Sequence, residues 1–195
     1  MSYVQNILDV YNQHTRDEYM AGVSWYTDAE AKCQAIADKH ELPLHIVVGV
    51  VAALSPTNKW ERNLVDADNM CETFVSGGYV EDTAPCTYKK MRDKAWTILV
   101  EMPEYAIDVE PILKGPKITD FFWCILGQVD VCVIDGHAWC IANADRRTMQ
   151  EVPFIGVQKR RDLQNAYATA AEECGLTAHQ MQAITWVTWK RIHNV

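Results

Sequence analysis

Residues 114–142 read KGPKITDFFWCILGQVDVCVIDGHAWCIA, and this stretch decides how the rest of the chain is read. Lys114-Gly115-Pro116-Lys117 is a turn. It opens an apolar run that predicts a helix over 118–126, stopped at Gly127. A Val/Ile segment then delivers Asp135 to the start of another helix, running to about Ala144. The brief alternation Val129-Val131-Val133 is too short to predict a strand. Lys117 and Asp135 are 18 positions apart, room for one helix out and one loop back. On that spacing the two side chains are expected to face one cleft. A lysine and an aspartate so held can act as nucleophile and charge stabiliser.

The stretch resembles the helix-hairpin-helix DNA glycosylase superfamily, which includes endonuclease III and 8-oxoguanine glycosylase. Those enzymes share a Gly-x-Gly-x-Lys hairpin, an apolar helix, and a Val-Asp-x-His segment opening the next helix. The matching residues here are Gly115, Lys117, Ile134, Asp135 and His137. The continuation Ala138-Trp139-Cys140-Ile141-Ala142 is similar to the oxoguanine branch. Upstream, Leu54-Ser55-Pro56-Thr57 resembles the family's Leu-Ser-x-Gln segment, and Lys94-Ala95-Trp96-Thr97-Ile98-Leu99 its Lys-Ala-x-x-Ile helix. The pieces keep the family's order over roughly residues 43–143. The chain departs from the pattern at Leu113, Pro116 and Thr57, which stand where the family has glycine, the second turn residue and glutamine.

The resemblance implies an all-α fold of two helical lobes around the hairpin. It implies a compact domain over 1–195, with a glycosylase-like core at about 43–143 and residues 1–42 and 144–195 packing together. The implied activity is extrusion of a damaged or modified base from double-stranded DNA and cleavage of its N-glycosidic bond. Asp135 would stabilise positive charge on the sugar ring. Lys117 would attack C1′ through an amine made neutral by burial or a neighbouring cation, for which Lys114 is the candidate. Should Lys117 not be the nucleophile, a phosphate contact is its next role. Gly115 and Lys114 would meet the phosphate backbone, although Pro116 contributes no N–H there. Thr57 and Asn58 would face the strand as a wedge. His137 would contact DNA or, more simply, be a packed and hydrogen-bonded histidine. That chemistry requires neither cofactor nor metal. Two other readings remain: a glycosylase-derived enzyme acting on hypermodified pyrimidines of viral DNA, and a non-enzymatic module that binds DNA or protein.

Composition supplies limits. The net charge is −8, which argues mildly against nucleic-acid binding. The charge is uneven, however. Residues 1–113 carry nine basic and 18 acidic side chains, whereas residues 114–195 carry nine and eight. Basic residues cluster at Lys89-Lys90, Arg92 and Lys94, at Lys114 and Lys117, at Arg146-Arg147 and at Lys159-Arg160-Arg161. Seven cysteines with no Cys-x-x-Cys pair read as free, mostly buried thiols, not as a disulfide or iron–sulfur framework. The densest apolar run, Ile46 to Leu54, is nine residues, a buried helix and too short for a membrane span. With no signal peptide evident, the expectation is a cytoplasmic protein with no membrane partner.

Further helices are expected over 2–16, from a capping segment at Thr27-Asp28-Ala29-Glu30 to His40, over 43–54, 59–75 and 87–101, near 106–113, over 158–174 up to Gly175, and from a Thr177 cap to His193. Ser55-Pro56 is expected to end the 43–54 helix, because the residue before proline avoids helical geometry. The segment Gly22–Tyr26, and Gln182, Thr185, Trp186 and Trp189, have the composition of a base pocket but read more simply as core.

Overall fold

The structure, a computed structural model, describes residues 2–195. It is all-α: ten α-helices and two 3-10 turns, with no strand among the described residues. The helices are α1 Tyr3–Tyr11, α2 Arg16–His40, α3 Leu44–Leu54, α4 Trp60–Val75, α5 Lys89–Glu101, α6 Glu110–Leu113, α7 Pro116–Ile125, α8 Gly136–Asn143, α9 Val157–Glu173 and α10 Ala178–His193. None is long and apolar enough to cross a membrane.

The helices form two compact units, residues 1–27 with 127–195, and residues 28–126. This division differs from the expected 43–143 core. Residues 132–142 leave that core because Ile134, Trp139 and Ile141 pack with Ile7, Tyr167, Met181 and Trp189 of the terminal unit. The second half of α2 joins the middle unit instead. Lys39 and His40 reach Asp68 of α4 at 2.9 and 2.6 Å.

One expected cap is corrected. Thr27–Glu30 lies inside α2, and the Thr27 hydroxyl donates back to the Ser24 carbonyl at 2.8 Å. The helix begins at a reciprocal box one residue before Arg16. Glu18 N–H donates to the Thr15 hydroxyl at 3.2 Å, and Thr15 N–H to the Glu18 carboxylate at 2.8 Å. That box also ends the opening helix early, at Tyr11. Other ends follow the sequence. Thr177 and Gln180 cap α10 reciprocally, and Gly175 adopts a left-handed φ of 66° after α9.

In the middle unit α3 is the centre, and its residues Ile46 to Leu54 are all buried. It has no polar face because α4, α5 and α7 cover it. In the terminal unit α1, α8, α9 and α10 enclose a core containing the fully buried Tyr167. Asn6 closes the end of α8 by donating to the Ala142 carbonyl at 2.7 Å. Gly22 and Ile184 touch backbone to backbone, since a Cβ on Gly22 would stand 2.5 Å from Ile184 Cα. Gly22→Ala is therefore expected to lower stability by about 1–3 kcal/mol, read from urea unfolding. An unchanged midpoint would mean the two helices are free to part.

Gly22, Tyr26, Gln182 and Trp186 come together as packing. Tyr26 OH donates to Gln182 Oε1 at 3.1 Å with both residues buried, and Trp25 meets Trp186 edge-on at 6.4 Å. Five of the seven cysteines are buried, Cys174 is half-buried and Cys86 is exposed.

Acid should loosen the terminal unit in two steps. Burial holds His179 below the ordinary histidine range, and burial followed by Arg146 does the same for His193. Both therefore bind a proton less readily in the folded chain than in the unfolded one. Below about pH 6.5 the unfolded chain takes up protons that the folded chain refuses, so stability falls. The Arg191 guanidinium, 2.5 Å from Glu18, holds that carboxyl below its usual range of 4.5. Its contribution is complete above that value and is lost as pH falls further. Urea midpoints taken from pH 7.5 to 3.5 should decline in both windows, and a flat profile between 7.5 and 5.5 would contradict the histidine step.

Candidate functional site

Asp135 is placed by a strap. Cys132, Val133 and Ile134 are buried and lie outside any helix or strand, so their backbone groups need partners. Two side chains of α9 supply them. Arg160 donates to the Ile134 carbonyl at 3.0 Å and Gln164 to the Cys132 carbonyl at 3.2 Å. Asp135 then caps α8, its Oδ1 accepting the Ala138 N–H at 2.8 Å. The residue is half-buried, and Oδ2 has no hydrogen-bond partner among the described residues. A carboxylate is therefore fixed by one oxygen with the other left over. Gly136 follows under close cover, since a Cβ there would stand 2.6 Å from Met149 Sδ.

His137 lies in the first turn of α8, half-buried. Its Nδ1 is sealed from solvent with no hydrogen-bond partner among the described residues. The expected bonded histidine is thus corrected at that atom.

The remaining candidates lie in the 28–126 unit. The expected hairpin joins α6 to α7, but its reversal falls on Lys114 (φ 50°, ψ 27°), while Gly115 is extended at φ −143°. Pro116 is the cause, because a residue before proline is pushed to extended geometry. Gly115 is close to its own helix, a Cβ there lying 3.2 Å from Ile118 Cγ1. Lys117 is exposed in the first turn of α7. A cation at a helix N-terminus opposes the helix dipole and gains nothing from its own helix.

The amine that Lys114 acts on is that of Lys94. Burial first, then Lys90 and Lys114, hold the Lys94 amine below the usual lysine range. Lys94 Nζ donates to the Leu113 carbonyl at the end of α6. Lys89, Lys90, Lys94 and Lys114 line one open groove of about 750 Å³ beside the hairpin. The sequence shows Lys89, Lys90 and Lys94 as a cluster on α5, but not the burial of Lys94.

The Ser55–Asn58 turn carries strain. Ser55 stays helical at φ −68° and ψ −29°, against the expectation that proline would expel it. The helix nevertheless ends at Leu54, with Ser55 as its cap. Asn58 N–H donates to the Ser55 carbonyl at 3.2 Å, Pro56 stands at the second turn position and Thr57 at the third with φ 62°. That pattern suits a type II turn, whose third position favours glycine. A β-branched threonine there is costly. Thr57 is exposed at the tip. Asn58 turns inward instead, donating to the Asp66 carboxylate at 2.9 Å, so it braces the turn and does not face outward as a wedge. Buried Asp66 also accepts Arg62 Nε at 2.7 Å and Cys86 N–H at 2.8 Å. Thr87 adds a bond to the Pro56 carbonyl at 2.7 Å.

A family model covers residues 1–193, nearly the whole chain. The chain belongs to DUF7178, a family of unknown function. No curated protein and no solved structure matches it. Among the described residues no group of histidine, cysteine and carboxylate side chains is arranged to hold a metal ion.

Proposed function

We propose that this DUF7178 protein acts on an extruded nucleotide of double-stranded DNA, cleaving the N-glycosidic bond of a damaged or modified base. The observation that carries the reading is the strapped Asp135, a half-buried carboxylate with one oxygen fixed by the Ala138 N–H and the other unengaged. As the C1′–N bond breaks, its electron pair leaves with the base, which takes up a proton, and the sugar becomes cationic. A fixed carboxylate stabilises that charge without reorganising. Lys114, the Gly115 amide and Lys117, at the N-terminus of α7, are suited to a backbone phosphate.

The exposure of Lys117 favours a reaction in which water, not an amine, takes the sugar, or one confined to the base. The latter suits a glycosylase-derived enzyme of hypermodified viral pyrimidines. Borohydride trapping separates these. Duplexes carrying an abasic site or one of several modified bases are reduced in the presence of wild type, Lys117→Ala and Lys94→Gln. An adduct lost in Lys117→Ala assigns the amine to Lys117, and one lost only in Lys94→Gln assigns it to Lys94. With no adduct, alkali-revealed strand cleavage that depends on Asp135 is the expected result. Its absence too, on every duplex, would sink base excision.

A further inference from the structure

Phe154 is 95% exposed, the most exposed large apolar side chain among the described residues, and the loop that carries it is not loose. Arg147 donates to Asp145 at 2.7 Å, and its guanidinium lies over the Trp139 ring at 5.2 Å. The Thr148 N–H and hydroxyl donate to Glu151 at 2.9 and 2.8 Å. On either side of Phe154, Val152 and Ile155 pack on the core of the terminal unit. An aromatic ring held in water between two anchored neighbours costs hydrophobic free energy in the free protein and recovers it only against a partner.

The charge around it indicates the partner. Residues 145–161 hold five basic and two acidic side chains in a chain of net charge −8. Arg146, Arg147 and Arg161 are exposed. A single protruding ring among arginines fits a polyanion that offers flat apolar faces, which is a nucleic acid. Position agrees. Met149 and Val152 lie against Gly136, the neighbour of Asp135. Phe154 is two residues beyond Val152, a chain reach of at most about 7 Å, or about two base steps of duplex at 3.4 Å each.

We propose that Phe154 inserts into the DNA base stack and fills the space of the nucleotide presented to Asp135. This rests on the DNA reading above, and it moves the wedge from Thr57 and Asn58 to the loop between α8 and α9. The arginines hold the flanking phosphates, and the ring supplies stacking that an intact duplex does not need.

The test compares binding of wild type and Phe154→Ala, as full-length chains, to an intact duplex and to the same duplex with a tetrahydrofuran abasic analogue. Wild type should prefer the abasic duplex by about tenfold or more, and Phe154→Ala should lose that preference while keeping intact-duplex binding and its salt slope. The ring is exposed, so the urea midpoint should not move. A preference that survives in Phe154→Ala, or wild type binding both duplexes equally, overturns the insertion and leaves the DNA reading standing. No salt-dependent duplex binding by wild type overturns both. Phe154-dependent binding to phosphatidylserine vesicles with none to DNA would reassign the loop to a membrane surface.

Discussion

Asp135→Asn is expected to lower single-turnover excision by about 10²- to 10³-fold, the cost typical of losing one charge-stabilising group, about 2.7–4 kcal/mol. Fold stability should scarcely move. The asparagine side-chain carbonyl can still accept the Ala138 N–H that Asp135 Oδ1 now accepts at 2.8 Å, and the two residues are near equals as N-caps. Asp135→Ala behaves differently, losing both the charge and the cap, the latter worth about 1 kcal/mol. Rate and urea midpoint measured on both variants separate the two roles. A less than threefold change in Asp135→Asn, on a duplex that wild type cleaves, would make this carboxylate a cap and nothing more.

Asp66→Ala should be among the most damaging single changes in the middle unit. The Cys86 N–H and the Asn58 amide both end on this buried carboxylate, at 2.8 and 2.9 Å. Removing it strands two part-buried donors, and unpaired donors cost about 1–3 kcal/mol each, toward the lower end where water reaches them. A loss of about 2–4 kcal/mol is expected, with heat or urea unfolding as the measure. Asp66→Asn keeps one acceptor and should fall between. The turn should suffer before the core does. With Asn58 released, nothing on the α4 side holds Thr57 at a φ of 62°, and hydrogen exchange at residues 56–59 should accelerate in Asp66→Ala. Unchanged exchange there would show that the Thr87 bond to Pro56 suffices.

Much of the fold could be read from local chemistry. Thr177 and Gln180 spell a capping box in the sequence and form one. The apolar run Ile46–Leu54 is buried on every side, as its lack of a polar face requires. Local chemistry does not decide where two equivalent signals compete. Thr15-Arg16-Asp17-Glu18 and Thr27-Asp28-Ala29-Glu30 both fit a capping box, and only the first is one. A related effect acts at the hairpin. Gly115 precedes Pro116, which holds it extended, and the reversal falls on Lys114. Of the candidate site, the sequence marks Asp135 and its cap position but not the strap that places it. Arg160 and Gln164, which hold its strap, lie 26 and 32 positions from their partners, and no periodicity links residues so distant. Phe154 was invisible for the opposite reason, since an aromatic in an apolar Val-Pro-Phe-Ile run gives no local sign that its ring stays in water.

The distribution of thiols makes the chain convenient to instrument. Burial pushes Cys33 and Cys71 up to about 12, so neither supplies thiolate at neutral pH, and Cys140 and Cys174 are raised as well. Cys86 is the exposed one, and its own N–H is part of the clasp on the Thr57 turn. A maleimide dye should therefore attach at one position with no cysteine removed, and the label would sit on the segment whose ordering the Asp66 variants disturb.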